Sequence, residues 1–255
     1  MSEDMMGKRV LVTGGTSGIG LAAARMFLAR GARVVMAGRS AKRGESALAA
    51  LASLERDRAE FFSADVASAA GCRNLVEAAA GWLGGIDVLV NSAGIYLERP
   101  IEDMTEELFD EVMAVNVKGT YFMCRYAVPE LRRQEGASIV NVSSDAGVHG
   151  NYGCTAYSAS KGAVTLLTRS LALELASFGV RVNCVCPGDI LTPMTEAQLA
   201  LGENRKEMLR EMQSVYPLGR IGTAEEAAAV ILFLASSAAS FVTGAAWGVD
   251  GGVTA

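Results

Sequence analysis

Three side chains in one short stretch of the sequence have types and spacing suited to proton exchange with a substrate. Ser144 precedes Tyr157, and Lys161 follows the tyrosine by four residues. If a helix begins near Tyr157, the phenol and the amine lie on the same face of it. A nearby ammonium favours the phenolate and lowers the pKa of the phenol from about 10. The pattern therefore predicts a general acid or base, although a half-buried structural pair on a helix has the same spacing.

The elements that position these residues are expected to belong to one large domain. The chain has 255 residues, of which 51% are hydrophobic and 20% charged, and no linker-like stretch or charge block divides it. Such a composition supports a sizeable core and is too apolar for a disordered chain. We therefore expect residues 1–255 to form a single domain.

Charge and cysteine usage exclude several classes of function. The net charge is −5, from 23 Lys plus Arg and 28 Asp plus Glu, whereas proteins that bind a phosphate backbone usually have the opposite balance. The polar residues 1–8 do not resemble a secretory signal, and the apolar stretch 227–242 is shorter than a membrane span. Five cysteines and a single histidine have no metal-binding spacing. We expect a reduced, cytoplasmic protein that binds no nucleic acid, membrane or metal.

Apolar runs alternate with helical patterns along the whole chain. The runs that predict strands cover 8–13, 33–37, 59–64, 86–90, 137–142, 180–185 and 246–249. Helical patterns cover 21–30, 42–55, 105–133, 156–176 and 224–236. Such alternation is typical of right-handed βαβ units. The sequence therefore predicts an α/β, Rossmann-like, doubly wound domain, with a parallel sheet of about seven strands and helices on both faces.

A glycine-rich turn follows the first predicted strand and precedes the first helix. It reads TGGTSGIG over residues 13–20. Glycines let the backbone approach a pyrophosphate closely, and the N-terminal amides of the following helix favour its charge. The spacing differs from the usual G-x-G-x-x-G, and a tight β–α connection has the same composition. The turn indicates a dinucleotide site, with the simple connection as its alternative.

Two positions after the next strands bear on the choice of cofactor. Arg39 follows the second strand, where NAD sites usually have a carboxylate and NADP sites an arginine. The first carboxylate after this strand is Glu45. The pattern favours NADP(H) over NAD(H), with a solvated loop charge as the alternative for Arg39. Asp65 follows the third strand and either contacts the adenine or N-caps the next helix.

Polar residues also follow or interrupt the later elements. Ser144 follows the fifth strand, at the edge where open α/β sheets bind ligands. Asn116 lies within a long helical stretch and needs hydrogen-bond partners if buried, so the residues alone favour a structural role for it. The stretch at about 193–216 is interpreted as a mobile helical lid over the substrate or as an ordinary pair of surface helices.

In combination and in this order, the motifs resemble the short-chain dehydrogenase/reductase family. The resemblance spans essentially the whole chain and rests on TGGTSGIG at 13–20, NSAG at 91–94, Asn116, Ser144, Tyr157, Lys161, Pro187-Gly188, Thr192, FVTG at 241–244 and VDGG at 249–252. Ser92 departs from the family, which most often has a second asparagine there. The resemblance implies an NAD(P)(H)-dependent oxidoreductase that interconverts a secondary alcohol and a ketone by hydride transfer.

The resemblance also implies roles for individual residues. Tyr157 would be the acid/base, and Lys161 would lower its pKa and hold the nicotinamide ribose. Ser144 would bind the substrate oxygen, and Asn116 would hold a water linked to Lys161. Besides Tyr157 and Lys161, the cofactor contacts would be Gly14, Thr16, Ser17, Gly18, Ile19, Gly20, Arg39, Ser40, Asp65, Val66, Asn91, Ala93, Gly94, Pro187, Gly188, Ile190 and Thr192.

The substrate is less constrained by the sequence. Loop residues that could line its pocket beside Ser144 and Tyr157 are Tyr96, His149, Tyr152 and Met194, each with packing within its own loop as the alternative. The mixture of polar and aromatic groups favours a small polyol, hydroxy acid or cyclic alcohol. By the resemblance we also expect a homotetramer or homodimer. The alternative function is a non-catalytic dinucleotide-binding or sensing protein, although such relatives tend to lose the tyrosine or the lysine.

Overall fold

A parallel β-sheet forms the centre of the protein, in a computed structural model that describes residues 5–51 and 56–255. The strands in chain order are β1 (Arg9–Thr13), β2 (Arg33–Gly38), β3 (Ala59–Ser63), β4 (Val88–Asn91), β5 (Ser138–Val142), β6 (Arg181–Pro187), β7 (Ile190–Leu191), β8 (Gly222–Thr223) and β9 (Ala246–Val249). Within the described residues, seven of them form one sheet in the order β3-β2-β1-β4-β5-β6-β9, with every neighbouring pair parallel. The short strands β7 and β8 pair with each other.

Helices cover both faces of this sheet. They are α1 (Gly18–Ala29), α2 (Ala41–Leu51), α3 (Ala69–Leu83), α4 (Glu106–Met113), α5 (Thr120–Leu131), α6 (Thr155–Leu175), α7 (Pro193–Leu199), α8 (Arg205–Ser214) and α9 (Ala224–Ala235). One apolar core lies between the sheet and α1, α2 and α9, and a second lies between the sheet and α3, α5 and α6. The predicted doubly wound α/β fold is thereby confirmed.

The strands are continuously apolar because both of their faces are buried. In β1, Val10 and Val12 belong to one core, while Leu11 between them belongs to the other. All three side chains are fully buried. This pattern is the one expected for a parallel sheet covered by helices on both sides, and it explains why the sequence shows unbroken apolar runs.

The long helix predicted over 105–133 is interrupted. It consists of α4, a π-helical turn at Ala114–Gly119, and α5. Asn116 lies inside the wide turn, and its backbone carbonyl accepts a 2.8 Å hydrogen bond from the Thr120 hydroxyl. A π-turn inserts one residue into the helical repeat and is frequent at functional sites. The interruption therefore coincides with the residue that breaks the apolar pattern.

Other helical boundaries are close to those predicted, with two parts outside the described residues. The helix predicted over 42–55 begins at Ala41, but its predicted end at Glu55 lies outside the described residues, as do residues 1–4 of the N-terminal segment. The stretch 193–216 forms the helix pair α7 and α8. None of the helices in the described ranges is long and apolar enough to cross a membrane.

Candidate active site

A cavity of about 730 Å³ lies at the carboxyl ends of the sheet strands. It spans the glycine turn after β1 and the loops that follow β2 to β6. The strand order reverses between β1 and β4, and ligands of open α/β sheets bind at this switch point. Predicted cofactor residues that line the cavity are Gly14, Thr16, Ser17, Gly18, Ile19, Arg39, Asp65, Val66, Ala93, Gly94, Tyr157, Lys161, Pro187, Gly188, Ile190 and Thr192.

The glycine turn brings the start of α1 against the loop after β4. Gly14 has a φ of +64°, and a Cβ on it would lie 2.8 Å from the backbone nitrogen of Ala93. A Cβ on Gly20 would collide with the carbonyl oxygen of Gly14. As far as the structure describes the chain, the Ser17 side chain caps no amide of α1, and the first turn has no acidic residue. The free amides of this helix start therefore suit a diphosphate group.

Two arginines after β2 line the same cavity. Arg39 is exposed and lies in the loop before α2, and Arg43 lies in the first turn of α2. Ser40 does not line the cavity but caps α2, since its hydroxyl accepts a 3.3 Å hydrogen bond from the backbone of Arg43. Arg43 was not among the predicted contacts, and its place in the first turn of the helix predicted after Arg39 is the signal that could have found it.

Asp65 was predicted either to contact the adenine or to N-cap the next helix, and the structure excludes the second interpretation. The helix α3 is capped by Ser68, whose hydroxyl accepts a 3.0 Å hydrogen bond from the backbone of Gly71. Asp65 instead accepts a 3.0 Å bond from the backbone of Ala67 and lines the cavity. The N-cap interpretation of Asp65 is wrong, and adenine contact stays a prediction.

Tyr157 and Lys161 lie in the first two turns of α6, which begins at Thr155. The Tyr157 ring contacts the Tyr96 ring edge-on, with 4.9 Å between the ring centroids. The Lys161 amine is buried, donates a 2.9 Å hydrogen bond to the carbonyl oxygen of Val142, and lies 5.7 Å from the centroid of the Tyr157 ring. The amine and the ring thus approach each other at the cavity surface, as the helical spacing predicts.

Burial dominates the proton affinities of this pair. It lowers the pKa of Lys161 to about 8. Burial also raises the pKa of Tyr157 above its usual value, while hydrogen bonding to Ser144 lowers it and the charge of Asp145 raises it. The pKa of Tyr157 is raised in the protein alone because removal of the phenolate from water has a larger effect than hydrogen bonding to Ser144. The lowering of this pKa by Lys161 stays a prediction.

Ser144 follows β5 and lines the cavity. Its hydroxyl donates a 2.7 Å hydrogen bond to Oδ1 of Asp145 and accepts a 3.1 Å bond from the backbone of Ala146. The structure therefore places the serine beside Tyr157, as predicted, but adds an acidic partner. Asp145 was missed because the sequence pattern did not reveal which side chain its neighbour would face.

Asn116 has contacts that fit its first, structural interpretation. The residue is 1% exposed, and its Nδ2 donates 3.0 Å hydrogen bonds to the carbonyl of Ile95 and to the Ser160 hydroxyl. Its Oδ1 accepts a 2.9 Å bond from the backbone of Ile95. The side chain thus joins the π-turn to the loop after β4 and to α6. The implied role in holding a water stays a prediction.

Three predicted cofactor residues support the cavity from behind instead of lining it. Gly20 packs against Gly14, and Ser40 caps α2. Asn91 is buried, and its amide nitrogen donates hydrogen bonds to Asn141 Oδ1 at 2.9 Å and to the Cys124 sulfur at 3.3 Å. The predicted contact of these three residues with a cofactor is therefore not supported by the lining of the cavity.

The predicted substrate residues all line the cavity. Tyr96, His149, Tyr152 and Met194 all line it, with Tyr152 at the rim because it is 98% exposed. Three carboxylates missed from the sequence, Glu98, Asp145 and Asp189, line the cavity as well. Burial raises the pKa of Asp189. Asp145 and Asp189 lie within three residues of the ends of β5 and β6, and this position is the signal that could have found them.

The arrangement can bind a dinucleotide and exchange a proton without a metal ligand set. In the described residues, no group of three or more His, Cys, Asp or Glu side chains is placed to hold a metal ion. The residues present fit a nicotinamide dinucleotide: uncapped amides at a glycine turn, a buried amine, and a phenol beside a serine. The fold and the site together define a protein of the dinucleotide-dependent oxidoreductase class.

Comparisons with known proteins agree with this class. A family model described as enoyl-(acyl carrier protein) reductase matches residues 14–254. An uncharacterized oxidoreductase from Thermotoga maritima is 42% identical over 252 residues, with 99% of both chains covered. An NADP-dependent (R)-specific alcohol dehydrogenase from Lentilactobacillus kefiri is 38% identical, with both chains fully covered.

The fold is shared with solved structures as well. The crystal structure of a short-chain dehydrogenase/reductase, described as glucose/ribitol dehydrogenase, from Brucella melitensis has a TM-score of 0.91 and 38% identity, with 99% of each chain covered. The chain belongs to the short-chain dehydrogenase/reductase family, and it is an NAD(P)-dependent oxidoreductase. The resemblance seen in the sequence is thereby confirmed.

Proposed function

We propose that the protein interconverts a secondary alcohol and a ketone on a small molecule, with Tyr157 as the acid/base. The observation that carries this proposal is that Tyr157, Ser144 and Lys161 line the same cavity as the glycine turn. A hydride donor held at the turn side and a substrate held at the serine side would then share one enclosed space. Orientation of two reactants in this way accounts for a large part of the rate of such reactions.

Three residues of the site have separate tasks in this reaction. A bound nicotinamide would supply or accept the hydride. Tyr157 gives a proton to the substrate oxygen during reduction and takes one during oxidation. Ser144 holds that oxygen by a hydrogen bond. Among the described residues, Lys161 has Val142 as its one hydrogen-bond acceptor, so two of its three N–H groups stay available for ribose hydroxyls.

The preferred cofactor is NADP(H). Support comes from Arg39 and Arg43, which line the cavity at the loop after β2, close to Gly38. A 2′-phosphate would accept charge-assisted hydrogen bonds from both guanidinium groups, whereas NADH offers a neutral hydroxyl there. The similar alcohol dehydrogenase from Lentilactobacillus kefiri is described as NADP-dependent.

The substrate is a neutral polyol or cyclic alcohol rather than a hydroxy acid. Glu98, Asp145 and Asp189 line the substrate end of the cavity and would repel a carboxylate. The same groups accept hydrogen bonds from additional hydroxyls. A structural relative, the Brucella melitensis protein, is described as a glucose/ribitol dehydrogenase, which agrees with a substrate rich in hydroxyls.

The assembly and the surroundings of the site are further parts of this proposal. The segment 193–216, which contains α7 and α8, acts as a lid, since its residues Met194 and Val215 line the cavity.

The chain forms a homotetramer or homodimer through α4, α5 and α6, and the exposure of Leu166 (63%) and Leu173 (83%) on α6 supports such a contact. A cytoplasmic location is supported by five free, buried cysteines.

The experiment that tests the proposed function is a coupled screen of alcohols and carbonyl compounds with NADPH, NADH and their oxidised forms. The panel contains neutral polyols and cyclic alcohols, with hydroxy acids of matched size as the contrast. We expect turnover of a neutral alcohol/ketone pair, faster with the phosphorylated cofactor. Turnover confined to hydroxy acids would overturn the substrate class, and tight cofactor binding with no turnover across the panel would overturn the catalytic proposal.

A further inference from the structure

Ser144 has one hydroxyl proton and more than one partner for it. We propose that Asp145, with His149 behind it, is a positioning residue that sets whether the Ser144 hydroxyl donates to or accepts from the substrate oxygen. The inference rests on the proposed alcohol/ketone reaction. It concerns two residues that the implied proton-exchange machinery does not include.

The Ser144 proton is directed at Asp145. A hydroxyl has one proton to donate and two lone pairs to accept with. In the structure the proton goes to Asp145 Oδ1, at 2.7 Å, and one lone pair accepts from the backbone of Ala146. The same backbone amide also donates a 2.7 Å bond to Asp145 Oδ1, which fixes the carboxylate in place. Ser144 is thereby left with a lone pair and no free proton for a substrate.

His149 lies on the other side of the Asp145 carboxylate. Its Nδ1 lies 3.0 Å from the carbonyl oxygen of Gly150. Because a carbonyl only accepts, Nδ1 carries a hydrogen, and Nε2 of the neutral ring is then an acceptor. Nε2 lies 3.7 Å from Asp145 Oδ2 and, within the described residues, is buried without a hydrogen-bond partner. In the neutral ring a lone pair therefore faces a carboxylate, and in the imidazolium a proton does.

The two protonation states of His149 have opposite effects on Ser144. With a neutral ring, Asp145 keeps the serine proton, and Ser144 accepts a hydrogen bond from the O–H of an alcohol. With an imidazolium, Asp145 Oδ2 is neutralised by the ring, its hold on the serine proton weakens, and Ser144 can donate to the oxygen of a ketone. The proton of His149 stays on His149 throughout, so the overall reaction is unchanged. Only the preference of the site for binding the alcohol or the ketone depends on the protonation state of His149.

Asp145 also acts on Tyr157 in two ways of the same sign. Burial is the main cause of the raised pKa of Tyr157; hydrogen bonding to Ser144 lowers this pKa, and the charge of Asp145 raises it. While Asp145 holds the serine proton, Ser144 cannot donate it to a phenolate. Removal of the Asp145 charge therefore lowers the pKa of Tyr157 through both effects. The phenolate needed for alcohol oxidation then forms at lower pH.

Other titratable groups line the same cavity as Ser144 and Asp145. They are Tyr96 and Glu98 after β4, Cys154 and Lys161 around the start of α6, Asp189 after β6, and Tyr216 after α8. Asp189 is the useful comparison, because its charge also raises the pKa of Tyr157. No hydrogen bond joins it to Ser144 in the described structure. Substitution of Asp189 therefore distinguishes a general charge effect on Tyr157 from control of the Ser144 proton.

The test compares Asp145→Asn with Asp189→Asn. The pH profile of kcat for alcohol oxidation should shift to lower pH by roughly one unit in Asp145→Asn, and by clearly less in Asp189→Asn. A second variant, Asp145→Ser, guards against a local effect of the asparagine and should shift the profile in the same direction. An unchanged profile in both Asp145 variants, or an equal shift in Asp189→Asn, would overturn the proposal.

The role of His149 is tested through Michaelis constants, because no residue can alter the overall equilibrium. His149→Lys puts a cation beside Asp145, whereas His149→Gln puts a neutral group there. The ratio of KM for the ketone to KM for the alcohol should be about fivefold lower in His149→Lys than in His149→Gln, which is the effect of one hydrogen bond. Equal KM ratios in the two variants would contradict the proposal.

A measurement without turnover separates this inference from the proposed function. The chain has a single histidine, so its ring gives one set of imidazole NMR signals. The ¹⁵N shifts should show the hydrogen on Nδ1 of the neutral ring, and these shifts should change more in Asp145→Asn than in Asp189→Asn. If these signals behave so while no alcohol turns over, the proposed function fails and the coupling stands. A ring insensitive to Asp145 would overturn the inference even in an active enzyme.

Discussion

The amine of Lys161 donates a 2.9 Å hydrogen bond to the carbonyl oxygen of Val142, the last residue of β5. This bond holds the amine of α6 at the end of a central strand. Lys161 is 5% exposed to solvent. The ammonium is therefore held by packing at the point where the cavity begins. Its position is the same whether it serves the phenol, the ribose or both.

The burial of Lys161 predicts a specific dependence of stability on pH. Its pKa is lowered by burial from 10.5 to about 8, so the unfolded chain binds the proton more tightly than the folded protein. The free energy of unfolding is reduced below pH 8 and recovers as pH rises from about 8 toward 10.5. Between pH 7 and 9.5 the gain from this one group is about 2 kcal/mol.

Urea unfolding of the wild type and of Lys161→Met at these two pH values measures this effect. The variant should lose the gain and be the more stable protein at pH 7, while Lys118→Met, at an exposed lysine of the π-turn, should behave as the wild type. An identical pH dependence in the wild type and in Lys161→Met would show that the amine is not desolvated in the folded protein.

Arg39→Ala should weaken the binding of NADPH far more than that of NADH. Loss of a charge-assisted hydrogen bond to a 2′-phosphate corresponds to a roughly 10- to 100-fold rise in the Kd for NADPH, and NADH has no such group to lose. Titration of cofactor fluorescence with the protein measures both constants. Arg25→Ala, which removes an exposed charge from α1, serves as the control and should change neither constant by much. Equal weakening of both cofactors in Arg39→Ala would refute the 2′-phosphate assignment.

Asn116→Ala distinguishes a structural from a purely catalytic role for this asparagine. The change leaves the backbone nitrogen and carbonyl of Ile95 without their side-chain partner. We expect a loss of about 1–3 kcal/mol in the free energy of unfolding, together with reduced turnover. Ser160→Ala removes one further partner of the same side chain, so the double variant should lose less than the sum of the two single variants. Reduced turnover at unchanged stability would favour the water-holding role alone.

Much of the fold was predictable from the sequence because the apolar periodicity is unambiguous. Runs such as 8–13 and 137–142 consist largely of residues that are buried between the two helix layers, and they form β1 and β5 in the structure. The π-turn at Ala114–Gly119 was not predictable, because Asn116 breaks the pattern in the same way in a regular helix. Its hydrogen bonds to Ile95 depend on the loop that tertiary packing brings to it.

The site was predictable in its residue types and not in its electrostatics. The spacing of Tyr157 and Lys161 correctly placed both side chains at one cavity. The raised pKa of Tyr157 was not predictable, because helical spacing contains no information on how far the ring is removed from water. The bond from Ser144 to Asp145 joins neighbours in sequence, yet it depends on a local turn that the residue types do not specify.

The most direct measurement of the central claim is the turnover of Tyr157→Phe with the best substrate pair from the screen, alongside its Kd for NADPH. The ring and its contact with Tyr96 are kept, and only the hydroxyl is lost. Tyr121→Phe, at an exposed position on α5, controls for the loss of a phenol elsewhere. We predict a fall in kcat of at least about 100-fold with Kd nearly unchanged. Turnover within a few-fold of the wild type would contradict the assignment of Tyr157 as the acid/base.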